Sequence, residues 1–254
     1  MKADLKIETL KRCWLFFSLP REAVEEIAVL STVRRFAKNE VIFHEGDPSD
    51  FLHTVSSGVV RQFKRTDSGR LFTTVISTTG NALLPIAVLG ANTYFLSAEA
   101  ISNTVTLVVS KKEFLSFVEK HPSVKDKVLV IMAKVIDSAY ERLSDFVGEH
   151  ASQRVLNILY MLYLKFGASV SFNREEVADM AGTTVETTVR VLKNLKDGRI
   201  IESRRGGVLI LDEPKFRQMC RSSYFIRTTG DEPAQTPFST PSLLNAHPQE
   251  GPAE

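Results

Sequence analysis

Glu186 and Arg190 stand one helical turn apart in residues 185–195, a stretch whose apolar spacing predicts an amphipathic helix. A guanidinium offers the forked pair of donors that matches O6 and N7 of guanine, and a carboxylate accepts from N4 of cytosine. Val185 and Val189 fall on the same N-terminal face, and Val189 suits a thymine methyl. Alone, such a Glu–Arg pair is a solvated helix pair worth about 0.3 kcal/mol. Its surroundings give it direction. Thr184 is placed to cap this helix, Gly182 to make a tight turn before it, and Asn173 to cap a preceding helix over residues 174–181. Thr188, Val191, Leu192 and Leu195 form the inner face. Two helices joined by a glycine turn make a helix-turn-helix, whose second helix meets base edges with its N-terminal end.

Beyond Gly198, residues 200–203 and 208–211 read as two strands around Arg204-Arg205-Gly206-Gly207, which makes a winged helix. Arg204 and Arg205 at the wing tip, with Thr184 and Lys193, are the expected contacts to DNA phosphates.

Other elements must position this unit. Leu129, Met132, Ile136, Ala139, Leu143 and Phe146 repeat at alternating steps of three and four, the apolar seam of a helix that pairs with a second copy of itself. A homodimer also suits a reader of palindromic DNA. Upstream, residues 33–43, 51–60, 59–63, 71–76 and 105–109 are short and rich in β-branched and aromatic residues. Gly46, Gly58, Gly69, Gly80 and Gly90 recur every 10–12 residues, the rhythm of a sandwich or barrel of short antiparallel strands. The expected fold is α+β: a β-roll in residues 1–119, a dimerisation helix in 120–148 and a winged helix-turn-helix in 149–226. A Pro-, Ser- and Thr-rich tail in 227–254 should be disordered.

Charge and composition narrow the classes. Net charge is +2, yet residues 149–226 hold 12 Lys/Arg against 9 Asp/Glu, a basic excess compatible with nucleic acid. No apolar run reaches the length of a membrane span, and the amphipathic start is followed by no small-residue cleavage site, so the expected compartment is the cytoplasm. Cys13 and Cys220 suggest no disulfide framework. No nucleophile–base motif, metal-ligand spacing or phosphate-cradling loop points to an enzyme; His121, His150 and His247 are isolated.

In this order the segments resemble the cAMP receptor protein/fumarate-nitrate reduction regulator (CRP/FNR) family over about residues 10–220. The residues that carry the resemblance are 41–47 (Val-Ile-Phe-His-Glu-Gly-Asp), 55–58 (Val-Ser-Ser-Gly) and 173–178 (Asn-Arg-Glu-Glu-Val-Ala), leading to 182–190 (Gly-Thr-Thr-Val-Glu-Thr-Thr-Val-Arg). The resemblance assigns base reading to Glu186 and Arg190 and implies a pseudo-palindrome with TTGA-like half-sites, with RNA polymerase as a partner. Val185 is similar to the fumarate-nitrate branch. Val189 departs from the serine common there, which leaves one base preference open.

The sensor half departs further. Family members that bind cyclic nucleotides carry Gly-Glu for the ribose and Arg-Ser/Thr for the phosphate. Here the stretch reads Gly80-Asn81-Ala82-Leu83-Leu84-Pro85, and Leu96 precedes Ser97 where the arginine would stand. cAMP is therefore disfavoured, since its phosphate loses a charged anchor. An iron–sulfur cluster needs four thiolates from the chain, which has two cysteines. Haem or a small organic effector stays open, with His44, His53 and Cys13 as conceivable haem ligands. Leu83, Leu84, Tyr94, Phe95, Leu96 and Ser97 would line the pocket, against the alternative that they are core. The competing function is a ligand-binding module whose helix-turn-helix mediates protein contact.

Overall fold

The computed structural model describes residues 3–220; the expected tail at 227–254 lies outside them. Two N-terminal helices, α1 (Ala3–Arg12) and α2 (Arg21–Leu30), precede eight strands. These are β1 (Thr32–Phe36), β2 (Val41–Phe43), β3 (Phe51–Ser57), β4 (Val60–Arg65), β5 (Leu71–Ser77), β6 (Ala82–Leu83), β7 (Ser97–Ala100) and β8 (Thr104–Ser110), with a short helix α3 (Pro85–Gly90) between β6 and β7. They form two antiparallel four-stranded sheets, in the orders β1-β8-β3-β6 and β2-β7-β4-β5. The expected single run at 33–43 is thus two strands in different sheets. Asn39, at φ +69°, turns the chain between them.

Helix α4 (Lys111–Lys120) closes the roll, and the long helix α5 (Ser123–Gly148) follows. One core joins α1, α2, the roll, α4 and the first turns of α5, where Val124 and Val128 are buried. Sequence reading did not foresee α4, although Ser110 and Glu113 form a reciprocal capping box in front of buried Phe114, Phe117 and Val118.

The C-terminal unit comprises α6 (Ala151–Phe166), β9 (Ser169–Val170), α7 (Arg174–Ala181), α8 (Val185–Asp197), β10 (Ile201–Arg204), β11 (Gly207–Ile210) and α9 (Glu213–Met219). Its three-stranded sheet has the order β10-β11-β9. A second core fills it and takes in Ile76 of β5, with Val59 and Ile101 of the roll packed against it.

Candidate nucleic-acid interface

Helix α7 starts at Asn173, whose side chain accepts from the Glu176 N–H at 2.9 Å while Glu176 accepts from the Asn173 N–H at 2.7 Å. It ends at Gly182, which is left-handed at φ +57° and ψ +44°. Thr184 then caps α8, its hydroxyl accepting from the Thr187 N–H at 3.2 Å and donating to the Thr187 hydroxyl at 3.1 Å. A phosphate contact by that hydroxyl would replace its donation to Thr187 and leave the cap in place.

Thr188, Val191 and Leu195 of α8 are buried in the unit, and this fixes which face looks outward. Val185, Glu186, Val189, Arg190 and Lys193 are all exposed. Two of them are valines left 39% and 37% open to solvent, an arrangement that core packing does not explain. No ion pair among those of the described residues joins Glu186 to Arg190, so both heads are free to meet a partner. In the wing, Arg205 is exposed and Arg204 lies 3.7 Å from Glu202.

The turn between α7 and α8 is held by the rest of the chain. Arg142 of α5 donates to Met180 O at 2.7 Å and to Thr73 O and Thr74 O of β5 at 3.1 and 2.9 Å. Arg154 of α6 donates to Ala181 O at 3.0 Å and Gly182 O at 3.3 Å, and Arg70, in the β4–β5 turn, to Thr183 O at 3.1 Å. Arg61 of β4 bridges Glu99 at 3.1 Å and Asp179 of α7 at 3.6 Å. Burial raises the Asp179 carboxyl above its ordinary range, against the opposing pull of Arg61 and Arg70. None of these contacts was legible in sequence, because the partners lie up to 113 residues apart.

On α5, Leu129, Ile136, Ala139 and Leu143 are exposed along one seam, joined by Tyr140 and Val147. Met132 is partly buried against the roll's core. Phe146, 37% open to solvent, also packs its ring 5.5 Å from Phe72, and the Arg154 guanidinium sits 4.8 Å from its centroid.

In the sensor half, Leu83, Leu84, Tyr94 and Leu96 are buried in the roll's core, and Ser97 is buried beside them. The Tyr94 ring stacks on Phe43 at 3.8 Å and its hydroxyl donates to Phe51 O. Phe95, in the bend before β7, instead faces solvent. Ser97 accepts from the Glu45 N–H at 2.9 Å. Residues 80–100 contain no lysine or arginine, and Glu99 is paired with Arg61 of β4. Of the conceivable haem ligands, His44 is exposed, while Cys13 and His53 reach opposite faces of β3. Cys13 meets Thr54, and His53 lies 3.4 Å from the Thr106 hydroxyl. Among the described residues there is no cluster of three His, Cys, Asp or Glu arranged to hold a metal, and no helix long and apolar enough to cross a membrane.

Comparison with known proteins agrees with this architecture. Residues 33–121 match the cyclic nucleotide-binding domain, and residues 153–219 match the Crp-like helix-turn-helix domain. The chain belongs to the CRP/FNR family of transcription regulators. The "Cyclic AMP receptor protein" of Thermus thermophilus is 27% identical over 195 residues, covering 76% of this chain and 90% of the relative. The "Nitrogen fixation regulation protein FixK" of Bradyrhizobium diazoefficiens is 26% identical over 226 residues, covering 85% and 92%. Among solved structures, FixK2 of Bradyrhizobium japonicum superposes with a TM-score of 0.69 at 20% identity, covering 76% of this chain and 98% of its own, which shows the shared fold. The relatives of this CRP/FNR chain are transcription regulators rather than enzymes.

Proposed function

We propose that this CRP/FNR-family regulator acts as a homodimer that reads a pseudo-palindrome of TTGA-like half-sites through Val185, Glu186, Val189 and Arg190. Thr184, Lys193, Arg204 and Arg205 contact phosphates. The roll answers to an effector other than a cyclic nucleotide, and RNA polymerase is the expected partner on DNA. The observation that carries the reading is the exposed row of four side chains at the N-terminal end of α8, whose opposite face is locked into the domain core. A guanidinium and a carboxylate held clear of their own protein by a rigid helix are poised for guanine and cytosine edges. The exposed seam of Leu129, Ile136, Ala139 and Leu143 supports pairing of two copies. Leu96 in place of an arginine supports the exclusion of cyclic nucleotides.

Fluorescence-anisotropy titrations with a TTGA palindrome and a scrambled duplex test this. Arg190→Ala and Glu186→Ala should each lose about 1–3 kcal/mol of discrimination between the two, with the thermal midpoint unchanged. Curves recorded with cAMP present should overlay those without it. Discrimination that survives both substitutions would sink the base-reading assignment.

A further inference from the structure

The last turn of α7 ends with carbonyls that have no partner inside the helix, as every helix C-terminus must. Here the Gly182 and Thr183 N–H groups both return to Ala178 O, so the carbonyls that follow must look elsewhere. Four in a row, Met180 to Thr183, are taken by arginines, and the three arginines come from three different elements: Arg142 from α5, Arg154 from α6 and Arg70 from the roll's β4–β5 turn. Cations at a helix C-terminus are favoured by its dipole, and bonds with a charged donor are stronger than neutral ones. Arg142 does more than cap. The same guanidinium donates to two carbonyls of β5 and lies 4.6 Å from the centroid of Phe72. It thereby ties α5, the roll and the helix-turn-helix at one point. Phe72 and Phe146 fill the space beneath the turn, so closely that a Cβ on Gly182 would stand 2.5 Å from the Phe146 ring.

We infer that Arg142, seconded by Arg70, is a positioning residue that sets the orientation of α8 relative to α5 and the roll. In a dimer joined along α5, that orientation decides how far apart the two reading helices stand. The clamp leaves the reading face open, so it governs placement rather than access. The consequence for DNA rests on the base-reading proposal, whereas the clamp itself does not.

The test therefore has two arms. In the first, duplexes carry two half-sites at a series of spacings. Wild-type protein should prefer one spacing sharply; Arg142→Gln and Arg70→Ala should bind that spacing about tenfold more weakly, a usual size for coupling between sites. Their affinity for an isolated half-site should stay within about twofold, well under one tenfold step. In the second, spin labels on exposed Lys112 and Lys196, introduced as cysteines with Cys220→Ser and diluted with unlabelled chain, report the distance from roll to reading helix without DNA. The distribution should be narrow in the wild type and broad in the Arg142→Gln variant. An unchanged distribution overturns the clamp, and so does an affinity loss equal at every spacing and on the half-site. A wild type with no preference for the palindrome, but a distribution that broadens on substitution, refutes base reading and upholds the clamp. Should Arg142→Gln fail to fold, Arg70→Ala, an exposed site, is read by the same criteria.

Discussion

Gly182 meets two demands of separate origin. Its φ of +57° is left-handed, which a side chain resists by about 1–2 kcal/mol, and a Cβ there would overlap the ring of Phe146. Gly182→Ala should therefore lower unfolding stability by about 2–4 kcal/mol in urea titrations. Adding Phe146→Ala should remove the overlap but not the backbone strain, so the alanine at 182 should cost less in that background. Equal costs in both would refute the steric share. The turn was legible from the glycine and its flanking caps, but the ring against it was not. His53 is a second case. Burial pushes its pKa down to about 3, with Arg34 adding in the same direction, and Phe36 and Phe43 flank the ring. The unfolded chain binds this proton near pH 6.5, so the group's contribution is complete above 6.5 and is lost as pH falls toward about 3. The slope is at most about 1.4 kcal/mol per pH unit. Replacing His53 by leucine should flatten the acid limb of stability between pH 6.5 and 4; an identical limb would exonerate the imidazole.

At the scale of elements, α5 shows how one apolar pattern serves two masters. A strict three–four repeat runs from Leu129 to Phe146, yet its neighbours Val124 and Val128 are buried in the chain's own roll and Phe146 turns toward Phe72. Leu129, Ile136, Ala139 and Leu143, with Phe146 in part, are left exposed for the second copy proposed above. Ile136→Arg, at a side chain 50% exposed, should leave the thermal midpoint of the monomer intact while moving sedimentation from dimer to monomer. A dimer that persists would place the interface elsewhere. Periodicity declares which face of a helix is apolar but not which neighbour covers it. The capping boxes at Ser110–Glu113 and Asn173–Glu176 belong to the opposite case. Each is a local pattern, one polar residue and a glutamate three positions on, and the amino-acid order alone displays it.

For the molecule as a whole, the second core reaches across the boundary between the roll and the C-terminal unit. Ile76 is buried among residues of α6 to α9, and Lys165 donates to its carbonyl at 2.5 Å. Arg61, joined to Glu99 and Asp179, adds a largely buried ion network on the same seam. Residues 3–220 should therefore unfold as one cooperative unit, seen as a single calorimetric peak whose measured and van't Hoff enthalpies agree. Two resolved peaks would mean that the seam contributes little. The sequence alone determined much that is written in short-range terms: the strand rhythm of the roll, the long helix, the helix-turn-helix with its caps and turn, and the face of α8 that carries Glu186 and Arg190. Tertiary structure alone decided which of those apolar faces are shared between units, that Phe95 looks outward while Tyr94 and Leu96 fill the roll, and that three arginines hold the turn before α8. The physical reason is reach. Caps, turns and periodicity act within a few residues, whereas the guanidinium of Arg142 finds its carbonyls 38 and 69 positions away, at distances that only the folded chain makes short.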